Sequence, residues 1–531
     1  MPSRDLLGQI ERFTSRTADA RAAWHAARAA RLLAPGHEAR EAEVEAARRL
    51  ARQTLEHDGP VLAGAEAPRP ADAVERAALE AVRRMVFAVA GTDELREREE
   101  ALTAALRDAA PLVHDEPVEP APTAAVPRRT RSGPREPRPE SEVSSTLDRR
   151  RAAWQGSAEA AATASRAAEL VELRQAKARS LGFTDAWQMA LAELGLEDGW
   201  LLDELTRVDR NSRELWRQRK AELDTQAGRR WSVAAPVAVW LHDDPSLRTP
   251  RRVHHADVEA RLGDATPALL ARLFDGIAMN ARASLPRLCV SMESRQLEAA
   301  GTGVDRAVSV PDGAGVEHAA AVLTGLSHLV ASRYARPGLE GWAAEPASLL
   351  AAASLAESVR RALWEPLFLR EFSGATDARI TPYAADMRRG EIEYRLARGR
   401  WQGAVTAFSR DVHTGAAAPA QWAAQWAEAR ARHQLVEPPE HDVPEWALWA
   451  ATLAPPRDVI AATVAPWAAA QFKAPIVKLG GQAAVTDNFG LGEFYIQEVL
   501  APGASVAFWD LVATATGEPL VATSWLRELG L

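Results

Sequence analysis

Twelve histidines are spread through 531 residues, and their spacing decides what they can do together. Two imidazoles on a helix reach one metal ion when they stand at i and i+4, one turn apart on the same face. A glutamate after the first of them supplies a general base for metal-bound water. The pattern His-Glu-x-x-His occurs nowhere in the chain. His318 and His328 share one apolar helical run, but ten residues of helix rise about 15 Å, too far for a shared ion. His254 and His255 are adjacent, so their side chains diverge on a helix, and Arg251 and Arg252 precede them. Cys289 is the sole cysteine and sits in an apolar alternating stretch, which reads as a buried, inert thiol rather than a nucleophile. Gly480-Gly481 and the glycines at 490 and 492 lack the strand-turn-helix setting of a nucleotide loop.

These groups need a frame to position them. Apolar residues make up 47% of the chain and charged residues 26%, ordinary values for a globular protein long enough to bury a sizeable core. The 64 basic and 72 acidic residues are intermixed and leave a net charge of −8. That argues against nucleic acid as a partner, because phosphate binding needs a concentrated basic face. No run approaches the roughly 20 apolar residues of a membrane span. The first residues carry no apolar signal core, and the single cysteine suits a reducing cytoplasm.

Residues 1–110 read as an N-terminal helical region, in which Val44, Ala47, Ala51 and Leu55 recur at helical spacing. The stripe breaks at Gly59-Pro60 and near Pro68, so helical hairpins packed on a larger body are expected rather than a coiled coil. Residues 111–146 are rich in proline and arginine with little apolar content, and read as an exposed linker. Helix is expected to resume at Ser145 to Asp148, where the residue types suit a capping box. Trp154, Ala158, Ala161, Ala164, Ala168 and Val171 then form a continuous apolar stripe. Near 287–310 the period drops to two: Leu288, Val290 and Met292 alternate with polar or small residues, and 307–310 repeats the pattern, predicting two strands. Beyond Val316 the chain is again chiefly helical. Trp422, Trp426, Trp446 and Trp449 fall at i, i+3 and i+4 spacings that favour core packing. The class is mainly α with one small sheet.

Several segments then resemble one family in order and spacing. They are Leu170-Val-Glu-Leu-Arg174 with Leu181-Gly-Phe-Thr-Asp-Ala-Trp187-Gln-Met189, Lys220-Ala-Glu-Leu-Asp224, and Trp240-Leu-His-Asp-Asp-Pro245. The C-terminus adds Ala501-Pro-Gly-Ala-Ser505, Trp509 and Ala515-Thr-Gly-Glu-Pro-Leu520. This set resembles the peptidyl-dipeptidase and oligoendopeptidase clan of gluzincin-like zinc metallopeptidases, over roughly residues 1–115 and 147–531. Gln175 replaces an asparagine of the clan's pattern. The resemblance implies an elongated helical body split by a deep groove, with residues 147–531 forming the peptidase-like part and the zinc helix at 316–332.

In that comparison the zinc site is degenerate. Thr324 stands where the first ligand belongs, Gly325 where the base belongs, and His328 keeps the second ligand position. Glu345 is the expected third ligand, although a one-residue shift would place Ala344 there. His328 and Glu345 are thus residual ligands, too few for a catalytic zinc site; without metal, His328 reads as a buried histidine bonded to a neighbour such as Glu345. The clan's oxyanion donor aligns with the stretch from Pro466 to Phe472, where Ala468 and Ala469 carry no donor. Trp342 and Trp467, beside these positions, are expected to bind ligand with His328 and Glu345. Restoring glutamate at 325 should be tolerated, since glycine is a poor helix former.

The expectation is a pseudopeptidase without zinc or other cofactor. It would hold a peptide, a peptide-like metabolite or a partner protein without cutting it. The alternatives are an active enzyme that uses the groove with other ligands or chemistry, and a structural subunit paired with an active paralogue. The alanine-, arginine- and proline-rich usage suggests a bacterial, GC-rich gene.

Overall fold

The computed structural model describes residues 6–90, 98, 101, 140–248, 266–291, 298–300, 306–311 and 315–531. Within these ranges 35, 56–58, 68–69, 71, 165, 232, 235, 243, 337–338, 340, 345–347, 374–375, 382–383 and 439–442 are excepted. Four helices open the chain: α1 (Leu6–Leu33), α2 (His37–Leu55), α3 (Gly59–Ala63) and α4 (Ala73–Val89). After them come α5 (Glu140–Ala164), α6 (Ala167–Ser180), α7 (Ala186–Leu194), α8 (Asp198–Trp231) and α9 (Pro267–Gly276). Strands β1 (Leu288–Ser291), β2 (Glu298–Ala300) and β3 (Ala307–Pro311) precede α10 (Gly315–Ala331) and α11 (Leu349–Arg360). The rest is α12 (Pro366–Ser373), α13 (Asp377–Ile380), α14 (Ala384–Thr414), α15 (Trp422–Gln434), α16 (Pro456–Gly480), α17 (Phe489–Phe494), α18 (Phe508–Thr516) and α19 (Thr523–Glu528). The chain is mainly α, as its periodicity predicts.

The sheet has the order β1-β3-β2. β1 runs parallel to β3, with Leu288 opposite Val308 and Val290 opposite Val310; β2 is antiparallel to β3, with Glu298 opposite Ser309. β3 is central and buried on both faces, as a short apolar strand between two layers should be. Val308 and Val310 meet α10, while Ala307 joins Ala29 and Leu32 of α1. β1 lies at the sheet edge, so Cys289 is half-buried rather than enclosed, a correction to the sequence reading.

The N-terminal helices pack as a hairpin, with Ala20 and Trp24 of α1 against Leu50 and Ala51 of α2. A second small core joins α1 and α4 to Trp342 and to Ala504 and Ala507. The largest core surrounds α10, α11 and α16. A tryptophan-rich core lies between α5, α14 and α15. There the rings of Trp401 and Trp426 meet edge to face at 5.4 Å, and those of Trp422 and Trp446 at 5.3 Å. Helix α5 begins at Glu140, so Ser145 to Asp148 lie inside it and do not cap it. The expected linker otherwise falls at 111–139, outside the described residues.

The segments that carried the resemblance are structural joints. Lys220 Nζ reaches both oxygens of Asp224 at 2.6 and 2.8 Å, and His242 Nε2 stands 3.0 Å from the same carboxylate. All three side chains are buried, and their mutual attraction offsets part of the cost of taking each out of water. Trp187 Nε1 donates to Asp198 at 2.8 Å, and Arg410 grips the same carboxylate. The C-terminal turn wraps Gln471 of α16. Its Nε2 donates to Thr516 Oγ1, Glu518 O and Pro519 O at 3.0–3.1 Å, and Val521 N–H donates back to its Oε1 at 3.1 Å.

Candidate functional site

Helix α10 packs against α11, α9 and the sheet, and it carries three of the sequence-predicted positions. Thr324 is half-buried, and its hydroxyl donates to the carbonyl of Ala320 at 2.7 Å, closing back on its own helix. Gly325 faces the sheet. A β-carbon there would stand 2.6 Å from Val310 Cγ1, 2.8 Å from Leu288 Cδ1 and 3.6 Å from Val308 Cγ1. The glycine lets helix and sheet approach closely, and any carboxylate at 325 would point into β1 and β3.

His328 is 4% exposed, and its Nδ1 has no hydrogen-bond partner among the described residues. Burial, with help from the Arg306 charge, pushes its imidazole down to about 3, so it is neutral near pH 7. Arg306 is itself pushed down to about 10 by burial and by Arg28. His25 of α1 is held at about 3 by burial and by Arg21, Arg28 and Arg306. The charge acting on His328 among the described residues is therefore that of Arg306, which repels a dication. Among the described residues no group of three or more His, Cys, Asp or Glu could hold a metal ion. The described donors do not fit the zinc centre that the resemblance implies. Glu345, His254 and His255 lie outside the described residues, and Ala344 ends a short 3-10 turn, Gly341–Ala344.

The other predicted residues are scattered. Trp342 is buried in the N-terminal core. Ala468 and Ala469 are fully buried within α16. Trp467 stands at a cavity wall, its ring edge to face with Trp200 at 6.1 Å.

That cavity, of about 170 Å³, opens between α8, α11, α14, α16 and α19, and no residue of α10 lines it. Its walls are rich in arginine. Glu357 on α11 bonds Arg360 and lies 3.8 Å from Arg398. Glu528, just behind the wall, accepts two parallel bonds from Arg361 at 2.8 and 2.9 Å and further bonds from Arg395 and Lys473. Burial alone would raise the Glu528 carboxyl, but Arg361, Arg395 and Lys473 outweigh it and hold it at about 2. Arg400 pairs with Asp209 at 2.8 Å and is lowered to about 10 by burial. Two glycines one turn apart on α14 shape the floor: a β-carbon at Gly399 would strike Trp525, and one at Gly403 would strike His433 Nδ1, each at 2.7 Å. Sequence reasoning missed these arginines. Arg395, Arg398 and Gln402 share a helix face by spacing, but such a face reads as solvated until its partners are known.

Known proteins bear on the fold alone. No family model matches the chain, and no curated protein matches it in sequence. In structure it resembles the M32 carboxypeptidase from Deinococcus radiodurans R1, with a TM-score of 0.56 and 13% identity. The match covers 99% of this chain and 100% of that one. The likeness defines a mainly helical, metallopeptidase-like fold across the whole chain. No helix among the described residues is long and apolar enough to cross a membrane.

Proposed function

We propose that the chain uses a peptidase-type body to hold a peptide, a peptide-like metabolite or a partner protein without zinc-dependent hydrolysis. The observation that carries this reading is the packing of Gly325 against Val310 and Leu288. The position expected to supply the general base is closed by the sheet. Two further observations support it. The Thr324 hydroxyl is committed to its own helix, and the charge felt by His328 is cationic. The test is zinc content after reconstitution with an equimolar ion and dialysis. The reading expects no stoichiometric zinc at His328; one zinc per chain, lost on His328→Ala, would overturn it and return the active-enzyme reading.

A further inference from the structure

The arginine-lined cavity has a chemistry of its own. Six arginines line it: Arg248, Arg360, Arg361, Arg395, Arg398 and Arg400. Three carboxylates answer them there: Asp209, Glu357 and Glu391. With Glu528 behind the wall pairing Arg361 and Arg395, six arginines face four carboxylates, an excess of two positive charges in a partly enclosed space where charge is poorly screened. A cation is repelled from such a site and an anion is drawn to it.

Most of the arginines are already paired with carboxylates, as described above. Arg248 is the exception. Its Nε donates to the Ser246 hydroxyl at 2.9 Å and its guanidinium lies over the Trp401 ring at 5.6 Å. No carboxylate pairs with it among the described residues. It is half-buried and lines the cavity. Ser246 in turn donates to Asp244, so a carboxylate stands one hydroxyl away. The guanidinium itself, a fork of N–H donors stacked on Trp401 with no direct carboxylate partner among the described residues, is suited to receive a ligand carboxylate.

The remaining surface is aromatic. Trp364, Trp401, Trp467 and Trp525 line the cavity together with Tyr394. The rings of Trp364 and Tyr394 stand 5.4 Å apart. A volume of about 170 Å³ accommodates one six-membered ring, since a cavity of about 150 Å³ holds benzene. Phosphate alone would leave the indoles without a partner, and a neutral ring would leave Arg248 without one.

We propose that this cavity binds a small aromatic carboxylate, one ring in size, with its carboxylate on the Arg248 guanidinium and its ring among the tryptophans. This goes beyond the binding reading above, which names no ligand site, and stands on the cavity lining itself. His433, on the same wall, is lowered to about 4 chiefly by burial, against the raising effect of Asp209 and with Arg400, Arg432 and Arg213 adding to the lowering, and so is uncharged at neutral pH.

The test is calorimetric titration of the full chain with phenylacetate, beside 2-phenylethanol, which lacks the charge, and acetate and inorganic phosphate, which lack the ring. Phenylacetate is expected to bind saturably, one per chain, about tenfold or more tighter than any control. Arg248→Gln should weaken it by about tenfold or more. Ala462→Trp, on the exposed cavity face of α16, should block it, and both variants should melt close to wild type. The proposal is overturned by no binding, by equal binding of 2-phenylethanol or phosphate, or by an affinity that ignores both substitutions. A blank titration leaves the non-hydrolytic reading intact, because that reading stands on position 325. Chelator-sensitive peptide cleavage would overturn that reading without touching the titration.

Discussion

A β-carbon at Gly325 would lie 2.6 Å from Val310 Cγ1, closer than two carbons can stand without something moving. The glycine that reads, along the sequence, as a lost base is thus also the residue that lets α10 sit on β3. Helix propensity would favour Gly325→Ala by up to about 1 kcal/mol. Overpacking against a buried strand costs roughly 1–3 kcal/mol, and here it should win. Gly325→Ala is expected to lower the urea midpoint, and Gly325→Glu to lower it further because a carboxylate would be buried among valines. An alanine variant more stable than wild type would show that helix and sheet are not in contact there. The expectation that a restored glutamate is tolerated is corrected by this packing.

Glu528 ties the C-terminal helix to the turn after α11 through Arg361, to α14 through Arg395 and to α16 through Lys473. Glu528→Gln leaves those cations without their shared partner, and removing one member of a buried ion cluster costs about 3–5 kcal/mol. A loss of that order should appear in chemical denaturation at pH 7. A change within about 0.5 kcal/mol would mean the cluster is solvated like an ordinary surface pair.

The acid limb of stability should follow the buried imidazoles. His433 takes its proton near 6.5 when unfolded and only near 4 when folded. Between those values the unfolded chain binds more protons. Stability is therefore fully present above about 6.5 and is lost as pH falls toward 4, by up to about 1.4 kcal/mol per pH unit from this residue. His25, held at about 3, adds a loss of the same sign. Denaturant midpoints of wild type and His433→Asn at pH 7, 6 and 5 should converge as pH falls, because the variant lacks this share of the slope. Parallel curves would show that His433 protonates freely in the fold.

How much of this was legible in the residues depends on the reach of each signal. Periodicity marks α1, α2, α10 and the strands at 288–291 and 307–311, because burying one face is a local matter of spacing. The pairing of Lys220 with Asp224 is local too, one helical turn apart. The direction in which Gly325 faces is not local. It depends on how α10 is rotated against β3, and no spacing within the helix reports that. The cavity is less legible still: Arg248, Arg361, Arg398 and Trp525 come from four separate parts of the chain, and in an arginine-rich sequence each reads as a solvated charge. Trp342 fails for the same reason, since its neighbours in the core, such as Leu6 and Ala504, lie hundreds of residues apart in sequence.

The most direct test of the central claim is peptide hydrolysis by the zinc-treated, full-length protein, followed by mass spectrometry with and without chelator. Unblocked peptides of about four to twelve residues cover both trimming from an end and internal cleavage. With Gly325 closed by Val310 and Leu288, and His328 beside Arg306, the account predicts no cleavage above the protein-free control in either condition. Cleavage that disappears with chelator and with His328→Ala would contradict it.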